Sequence, residues 1–144
     1  AHEQTMSVKT SDLQLKLRGD TQVENITKRV ADVVAGSGLK AGIVVVFIKH
    51  TTAAVMIVED EPGIRADTKT IWERLIPPDS QWQHNTLNED DNAHSHLRAH
   101  LQGCSVTVPF SSGSLQLGTW QQIVVVDFDT RARTRDLIIQ MIGE

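Results

Sequence analysis

Three histidines lie close together in the segment DDNAHSHLRAHL, which spans residues 90–101. His96 and His100 are four residues apart, so on a helix they share a face, as the two histidine ligands of HExxH metal sites do. His94 and His96 are two apart and converge only if His94 precedes the regular helix. The spacing leaves three alternatives open: a metal site, a catalytic cluster, or a solvated helix that is rich in histidine.

Two further histidines could join this cluster from elsewhere in the chain. His50 ends the apolar run AGIVVVFIKH, where side chains leave a core and face a cleft, and His84 lies in a polar segment. Neutral imidazoles bind zinc and similar ions when three or four ligands converge, and histidine also transfers protons near pH 7. Glu59, in an acidic run, could orient one of them or hold a cation. Solvated or edge positions are the alternative for all three residues. The candidate ligands of a divalent ion, zinc or magnesium, are His50, His84, His94 and His96.

A basic segment near the end of the chain is suited to an anion. In DTRARTRD, an extended backbone would point Arg131, Arg133 and Arg135 in one direction, because side chains alternate along a strand. Guanidinium groups make bidentate contacts with phosphate, and Lys49 beside His50 could add to the same positive field. A basic strand end that pairs with surface acids is the alternative.

The composition limits the function classes. The 144 residues include 14 basic and 18 acidic ones, for a net charge of -4, which argues against a nucleic-acid or membrane-surface binder. Apolar runs are far shorter than the roughly 20 residues that span a bilayer, and Gly-rich phosphate loops are missing. The single cysteine, Cys104, is interpreted as a small buried residue. We predict one domain over residues 1–144 of a cytoplasmic protein.

Hydrophobic periodicity predicts the elements that must position these residues. Residues 41–50 are predicted to form a strand buried on both faces, and a helix is predicted to begin near Thr21, which has capping-box spacing with Glu24. Further helices are predicted over 62–76 and about 92–102, with a loop over 79–91 between them. Six or seven strands and two or three helices, joined by short turns, indicate an α+β fold of mostly antiparallel sheet.

Four motifs carry a resemblance to a known family. They are HTTAA from His50 with Glu59 downstream, NAHSHLRA from Asn92, LQG from Leu101 and LGTWQ from Leu117. In this order they resemble the YjbQ-like family, whose members are commonly labelled secondary thiamine-phosphate synthase, and the resemblance covers essentially the whole chain. It implies a β-sandwich-like core, a homotrimer, and a site around the histidines of the first two motifs. It also implies that His84 belongs near the site and that His100 is incidental.

The chain departs from the family pattern in one place. After the GTWQ strand, members usually carry a glutamate and a DGPR-x-R-like turn, whereas this chain has Asp127 and DTRARTR. Which of Arg131, Arg133 and Arg135 takes the place of the family arginine is open, and we predict Arg133 or Arg135.

The resemblance leads to a predicted function. It is a thiamine-phosphate-synthase-like transferase that joins hydroxymethylpyrimidine pyrophosphate to thiazole phosphate. His50 and His96 would transfer protons or bind a metal, and Glu59 would orient one of them. The small phosphate substrate would be bound by Arg133, Arg135 and Lys49. The alternatives are a metal-dependent hydrolase that uses the same histidines and a non-enzymatic module that binds an anionic metabolite or a metal.

Overall fold

A computed structural model describes residues 5–79 and 81–144, so residues 1–4 of the predicted domain, and Ser80 of the predicted loop, lie outside the described residues. The elements in chain order are β1 (Ser7–Leu17), β2 (Gln22–Asn25), α1 (Thr27–Gly36), β3 (Gly42–Ile48), β4 (Ala53–Val58), α2 (Pro62–Leu75), α3 (Gln83–Asn88), α4 (Ala93–Gln102), β5 (Ser105–Ser111), β6 (Ser114–Leu115), β7 (Gln122–Asp127) and β8 (Arg133–Gly143).

The strands form two sheets in which every pairing is antiparallel. The larger sheet has the order β1-β8-β3-β5-β6, and the smaller has the order β2-β7-β4. This confirms the predicted α+β fold with mostly antiparallel sheet. The described residues form four helices, where two or three were predicted, because the short helix α3 occupies part of the predicted loop over 79–91.

The main core lies between the two sheets. Val44 and Val46 of β3 face Val55 and Val125 of the smaller sheet across this core, and α1 closes one end of it with Val30 and Val34. The other face of the larger sheet is exposed. The prediction that β3 is buried on both faces is therefore wrong, because its side chains alternate between the core and this open face.

The second face of the smaller sheet is covered by helices. Trp72 of α2 meets Phe128 edge to face, with ring centroids 5.4 Å apart, and Leu97 of α4 packs against the same cluster. Arg98 ties α4 to the end of α2, because its Nε and Nη2 donate to the Ile76 carbonyl at 3.0 and 2.8 Å. The result is a layered arrangement that fixes the start of α4 against the end of β7.

Two local predictions are corrected. The helix predicted from Thr21 begins only at Thr27, because Val23 is buried in strand β2 opposite Val126, and Thr21 donates its N–H to the Asp127 carbonyl at 2.8 Å. The apolar residue Val23, whose spacing suggested a helix, therefore belongs to strand β2. Cys104, predicted to be buried, is exposed between α4 and β5. None of the described helices is both long and apolar enough to cross a membrane.

Candidate functional site

The candidate site lies where several elements end on one side of the molecule. Strand β3 leads into Lys49 and His50, β7 leads into Asp129, and α4 begins beside them after Asn92. The Lys49 N–H donates to the Asp136 carbonyl at 3.0 Å, which holds this turn against β8. These ends enclose an open cavity of about 400 Å³. It is lined by Lys49, His50, Thr51, Thr52, Asp90, Asn92, His96, Asp129, Arg133 and Arg135.

The floor of the cavity is a buried ion pair between Arg135 and Asp127. Arg135 Nε lies 2.9 Å from Asp127 Oδ2, and Arg135 Nη2 lies 2.7 Å from Asp127 Oδ1. Both side chains are buried. Nη2 also donates to Thr52 Oγ1 at 2.8 Å. A buried charge needs such a partner, because leaving it unpaired in the interior is strongly unfavourable. Arg135, predicted to bind phosphate, lines the cavity, but its Nε and Nη2 are engaged by the protein.

Asp129 is the acceptor that joins the residues of the site. Its carboxylate accepts from Thr130 N–H at 2.7 Å, Thr52 Oγ1 at 3.0 Å, Asn92 Nδ2 at 3.3 Å and Arg133 Nε. Burial alone would raise the pKa of Asp129, but these donors outweigh it and lower the pKa to about 2. Asp129 is therefore a carboxylate whose oxygens are already occupied, and it positions Arg133.

The three arginines of the basic segment have three different environments. Arg131 lies on the surface, where Nη2 is 3.8 Å from Asp90 Oδ1 and 3.5 Å from Asp91 Oδ1. The Arg133 side chain is 41% exposed, and its Nε is fixed by Asp129. The extended backbone that would point all three in one direction is not present, because β8 begins only at Arg133 and Arg131 precedes it. Of the three arginines, only Arg133 lines the cavity with a guanidinium that is both held by Asp129 and exposed.

His50 is held as a neutral ring at the edge of the cavity. Its Nε2 accepts the Asp136 N–H at 2.8 Å, so in the neutral ring the proton is assigned to Nδ1. Burial lowers the pKa of His50, and the nearby Arg135 lowers it further, while the Asp136 carboxylate 3.7 Å away acts in the opposite direction. The ring can therefore donate one hydrogen bond through Nδ1 near neutral pH.

His84 and His96 form a second pair of rings beside Asn92. Their centroids are 4.7 Å apart at an interplanar angle of 61°. His84 Nε2 lies 3.0 Å from Asn92 Oδ1 and 3.4 Å from Asp90 Oδ2, both acceptors, so we place its proton on Nε2. Burial, and then the neighbouring His84, lowers the pKa of His96. The His96 ring has no hydrogen-bond partner within 5–79 and 81–144.

Two predicted site residues do not reach this cavity. Glu59 follows the far end of β4, whereas His50 precedes its near end, and six strand residues span roughly 20 Å. The predicted role of Glu59 in orienting a histidine is therefore wrong. His94 lies within α4, which begins at Ala93, so the helix directs His94 and His96 to different sides. His94 lines a separate cavity of about 380 Å³ together with Arg98 and Asp20.

The histidines as held do not fit the predicted metal site. His94 is in another cavity, and the neutral His50 ring has one nitrogen protonated and the other accepting a backbone N–H. This leaves His84 and His96, fewer than the three or four protein ligands that zinc usually takes. Within the described part of the chain, no three His, Cys, Asp or Glu side chains are arranged to hold a metal ion.

Sequence reasoning missed the residues that connect the site. Thr52, Asn92 and Asp129 form the hydrogen-bonded path from the His84 ring to the Arg135–Asp127 pair. Thr52 and Asn92 stand directly before β4 and α4, and Asp129 lies two residues after the end of β7. Each is two positions from a residue that was singled out. Polar residues at such ends were a usable signal, but their convergence depends on the packing of the sheets.

Comparison with known proteins places this geometry in a family. The sequence model of the family described as UPF0047 protein YjbQ-like matches residues 11–144. A UPF0047 protein of Methanothermobacter thermautotrophicus is 38% identical over 139 residues, which cover 96% of this chain and 95% of that protein. A UPF0047 protein of Archaeoglobus fulgidus is 40% identical over 129 residues, which cover 90% and 98%.

Solved structures agree with the fold. A protein of unknown function from Sulfolobus solfataricus P2 superposes with a TM-score of 0.92 at 34% identity, covering 97% of this chain and all of that one. A hypothetical protein from Aeropyrum pernix K1 gives a TM-score of 0.87 at 35% identity, covering 94% and 99%.

These relatives correct the predicted activity. They are named as UPF0047 proteins, as a protein of unknown function or as a hypothetical protein, and nothing in those names points to thiamine-phosphate synthesis. The prediction of a thiamine-phosphate-synthase-like enzyme is therefore wrong. The matched length and identity, together with the shared fold, give a different conclusion: the chain belongs to the YjbQ-like family of UPF0047 proteins.

Proposed function

We propose that the cavity binds a small anionic metabolite through a phosphate or carboxylate group. The observation that carries the proposal is the state of Arg133, whose Nε is fixed by Asp129 while the rest of its guanidinium has no partner among the described residues. Such a group is oriented before a ligand arrives, so less side-chain entropy is lost when it binds a planar or tetrahedral anion.

Two further donors support an anion at the same place. Lys49 lines the cavity, and its ammonium group has no partner within the described residues. His50 supplies the Nδ1 proton. The two acids of the lining are already engaged, since Asp129 accepts four hydrogen bonds and Asp90 binds His84 and Arg131. Their charge is therefore offset by protein groups, and the free hydrogen-bonding capacity of the cavity is mainly that of donors.

A binding measurement tests this proposal. Arg133→Gln should weaken the binding of inorganic phosphate about 10- to 100-fold, the effect expected for a lost charge-assisted hydrogen bond. Arg29→Gln is the control, because Arg29 is an exposed arginine of α1 that does not line the cavity. Isothermal titration calorimetry at low ionic strength measures both. Equal phosphate affinity in wild type and Arg133→Gln would contradict the proposal.

A second candidate function is acid–base catalysis on the bound anion. It is favoured by His96, which lines the cavity as a partly buried ring with a lowered pKa and no protein partner in 5–79 and 81–144. A neutral imidazole of this kind can accept a proton at neutral pH. If the protein is an enzyme, His96→Gln should abolish turnover of a phosphate ester while the binding of inorganic phosphate changes less than threefold. Unchanged turnover would remove His96 from this role.

A metal ion remains a prediction that metal analysis can test. Stoichiometric zinc in protein purified without a histidine tag, lost on His84→Ala and on His96→Ala, would support a metal-dependent activity. Retention of that zinc in both variants would place the ion elsewhere.

A homotrimer is likewise a proposal, together with a cytoplasmic location. The trimer is supported by apolar side chains that lie next to one another on the exposed face of the larger sheet. They are Val8 of β1, Ile142 of β8 and Ile43 of β3. Burial of such a patch between copies is favourable. Light scattering should give three times the chain mass of 16.0 kDa, and a monomer would contradict the proposal.

A further inference from the structure

An apolar groove adjoins the proposed anion site. Its volume is about 530 Å³, and it shares Lys49, His50 and Thr51 with the polar cavity. The turn after β3 therefore separates two adjoining depressions. One is lined mainly by charged and polar groups. Beyond the shared turn, the other is lined by apolar and small residues together with His100.

The walls of the groove are formed by residues at the adjoining ends of β3, β4 and α4. Ile48 and Ala53 are buried at the two strand ends beside it, while Phe47 is 39% exposed on the outer face of β3. Ala99 of α4 and Gly103, which ends that helix, also line it and have little or no side chain to fill it. Apolar depressions of several hundred Å³ beside a few placed polar groups are typical of small-molecule sites.

We propose that the ligand of this protein is an amphipathic anion. Its phosphate or carboxylate head would lie against Arg133, Lys49 and His50, and its aromatic or short alkyl part would lie in the groove beside Phe47. The inference rests on the proposed anion site and names the class of its ligand. The inference depends on the contact between the cavity and the groove, because one molecule placed against the His50 ring can extend into both.

The groove lies at the His50 end of β3, whereas the contact between copies proposed above lies at the Ile43 end. This position favours a small molecule over a second copy of the chain. A protein neighbour seated there would cover the turn and bury Lys49, whose ammonium group has no partner in the described part of the chain. An amphipathic anion instead offers that ammonium a counter-charge and fills the depression with its tail.

The first test compares two ligands with the same head. Phenyl phosphate should bind at least tenfold more tightly than inorganic phosphate, because burial of a ring removes on the order of 100 Å² of apolar surface from water. Phe47→Ser should reduce this advantage at least threefold and leave inorganic phosphate binding unchanged. Leu101→Ser is the control, since Leu101 is an exposed apolar residue of α4 outside the groove.

The outcomes separate this inference from the anion site itself. If inorganic phosphate binds and phenyl phosphate binds no better, the amphipathic ligand is overturned while the anion site stands. An advantage of phenyl phosphate that Phe47→Ser does not reduce would also overturn it, since the ring would then lie elsewhere. If neither ligand binds, the anion site and this inference both fail.

The single cysteine provides a second, independent readout. Cys104 is exposed and lines the groove. Phenyl phosphate should slow its alkylation by iodoacetamide at least threefold, and inorganic phosphate at the same fractional occupancy should not. Equal protection by both ligands would contradict a tail in the groove. A thiol that is unreactive without any ligand in the native protein, but reacts after unfolding, would show that another copy covers the groove and would overturn the inference.

Discussion

Arg133 and Arg135 are two residues apart on β8, yet they lie in opposite environments. Arg135 is 1% exposed and is held by both oxygens of Asp127, whereas Arg133 reaches the mouth of the cavity and is held by Asp129 through one nitrogen. The inner arginine has its charge satisfied by the protein, and the outer one keeps donors free. We infer that the inner pair maintains the site and that the outer cation contacts the ligand.

The largest expected effect is on the inner pair. Arg135→Met should lower the free energy of unfolding by about 3–5 kcal/mol, because it leaves the Asp127 charge buried without a partner. The double variant Arg135→Met with Asp127→Leu should recover part of this loss, since it removes the uncompensated charge. Urea unfolding of the three proteins measures both. A loss of less than about 1 kcal/mol in the single variant would mean that the pair behaves like a surface ion pair.

A smaller effect is expected at the carboxylate that joins the two arginines. The pKa of Asp129 is lowered to about 2, so its contribution to stability is present above the ordinary carboxyl pKa of 3.8 and is lost as the pH falls towards 2. Asp129→Asn should flatten the decline in unfolding free energy between about pH 4 and pH 2. Asp32→Asn, at an exposed helix position, serves as the control. An unchanged acid decline in Asp129→Asn would contradict the assigned role.

The separate cavity around His94 gives a contrasting pH window. His94 is 7% exposed, and its Nδ1 has no partner among the residues that the structure describes. Burial, followed by the nearby Arg98, lowers its pKa. The unfolded chain therefore binds a proton more readily than the folded one, so stability falls as the pH drops below about 6.5. His94→Gln should reduce that slope between pH 7 and pH 5, and the exposed His100→Gln should not. Equal slopes would show that His94 does not titrate with folding.

The smallest effect on stability is expected at the outer arginine. Arg133→Gln should change the free energy of unfolding by less than about 1 kcal/mol, because its side chain is 41% exposed and solvent screens the pair with Asp129. The same variant should lose most of its affinity for phosphate. A large stability loss without a loss of affinity would reverse the roles assigned to the two arginines.

Much of the sheet could be predicted from the sequence, and much of the site could not. The β-branched run over residues 41–50 located β3, because a preference for extended structure is a local property of such residues. The same reasoning extended α1 too far, since the spacing of Val23 and Ile26 fits a helix, and only pairing with β7 makes Val23 a strand residue.

The sequence likewise identified some side chains of the site but not the contacts between them. His50, His84 and His96 were singled out, and the structure places all three near one cavity. Glu59 was placed in the site wrongly because the sequence around it does not indicate that β4 runs away from the site. The hydrogen bonds of Asn92 and Asp129 depend on how α4 packs against the end of β7, which no local pattern encodes.

A crystal structure grown with inorganic phosphate at low ionic strength tests the central claim most directly. We expect a phosphate with oxygens within about 3 Å of the Arg133 guanidinium and Lys49 Nζ, the contact range of charge-assisted hydrogen bonds, with Arg135 still paired to Asp127. A phosphate bound elsewhere, or one that displaces Asp127 from Arg135, would contradict the division between the inner and the outer arginine.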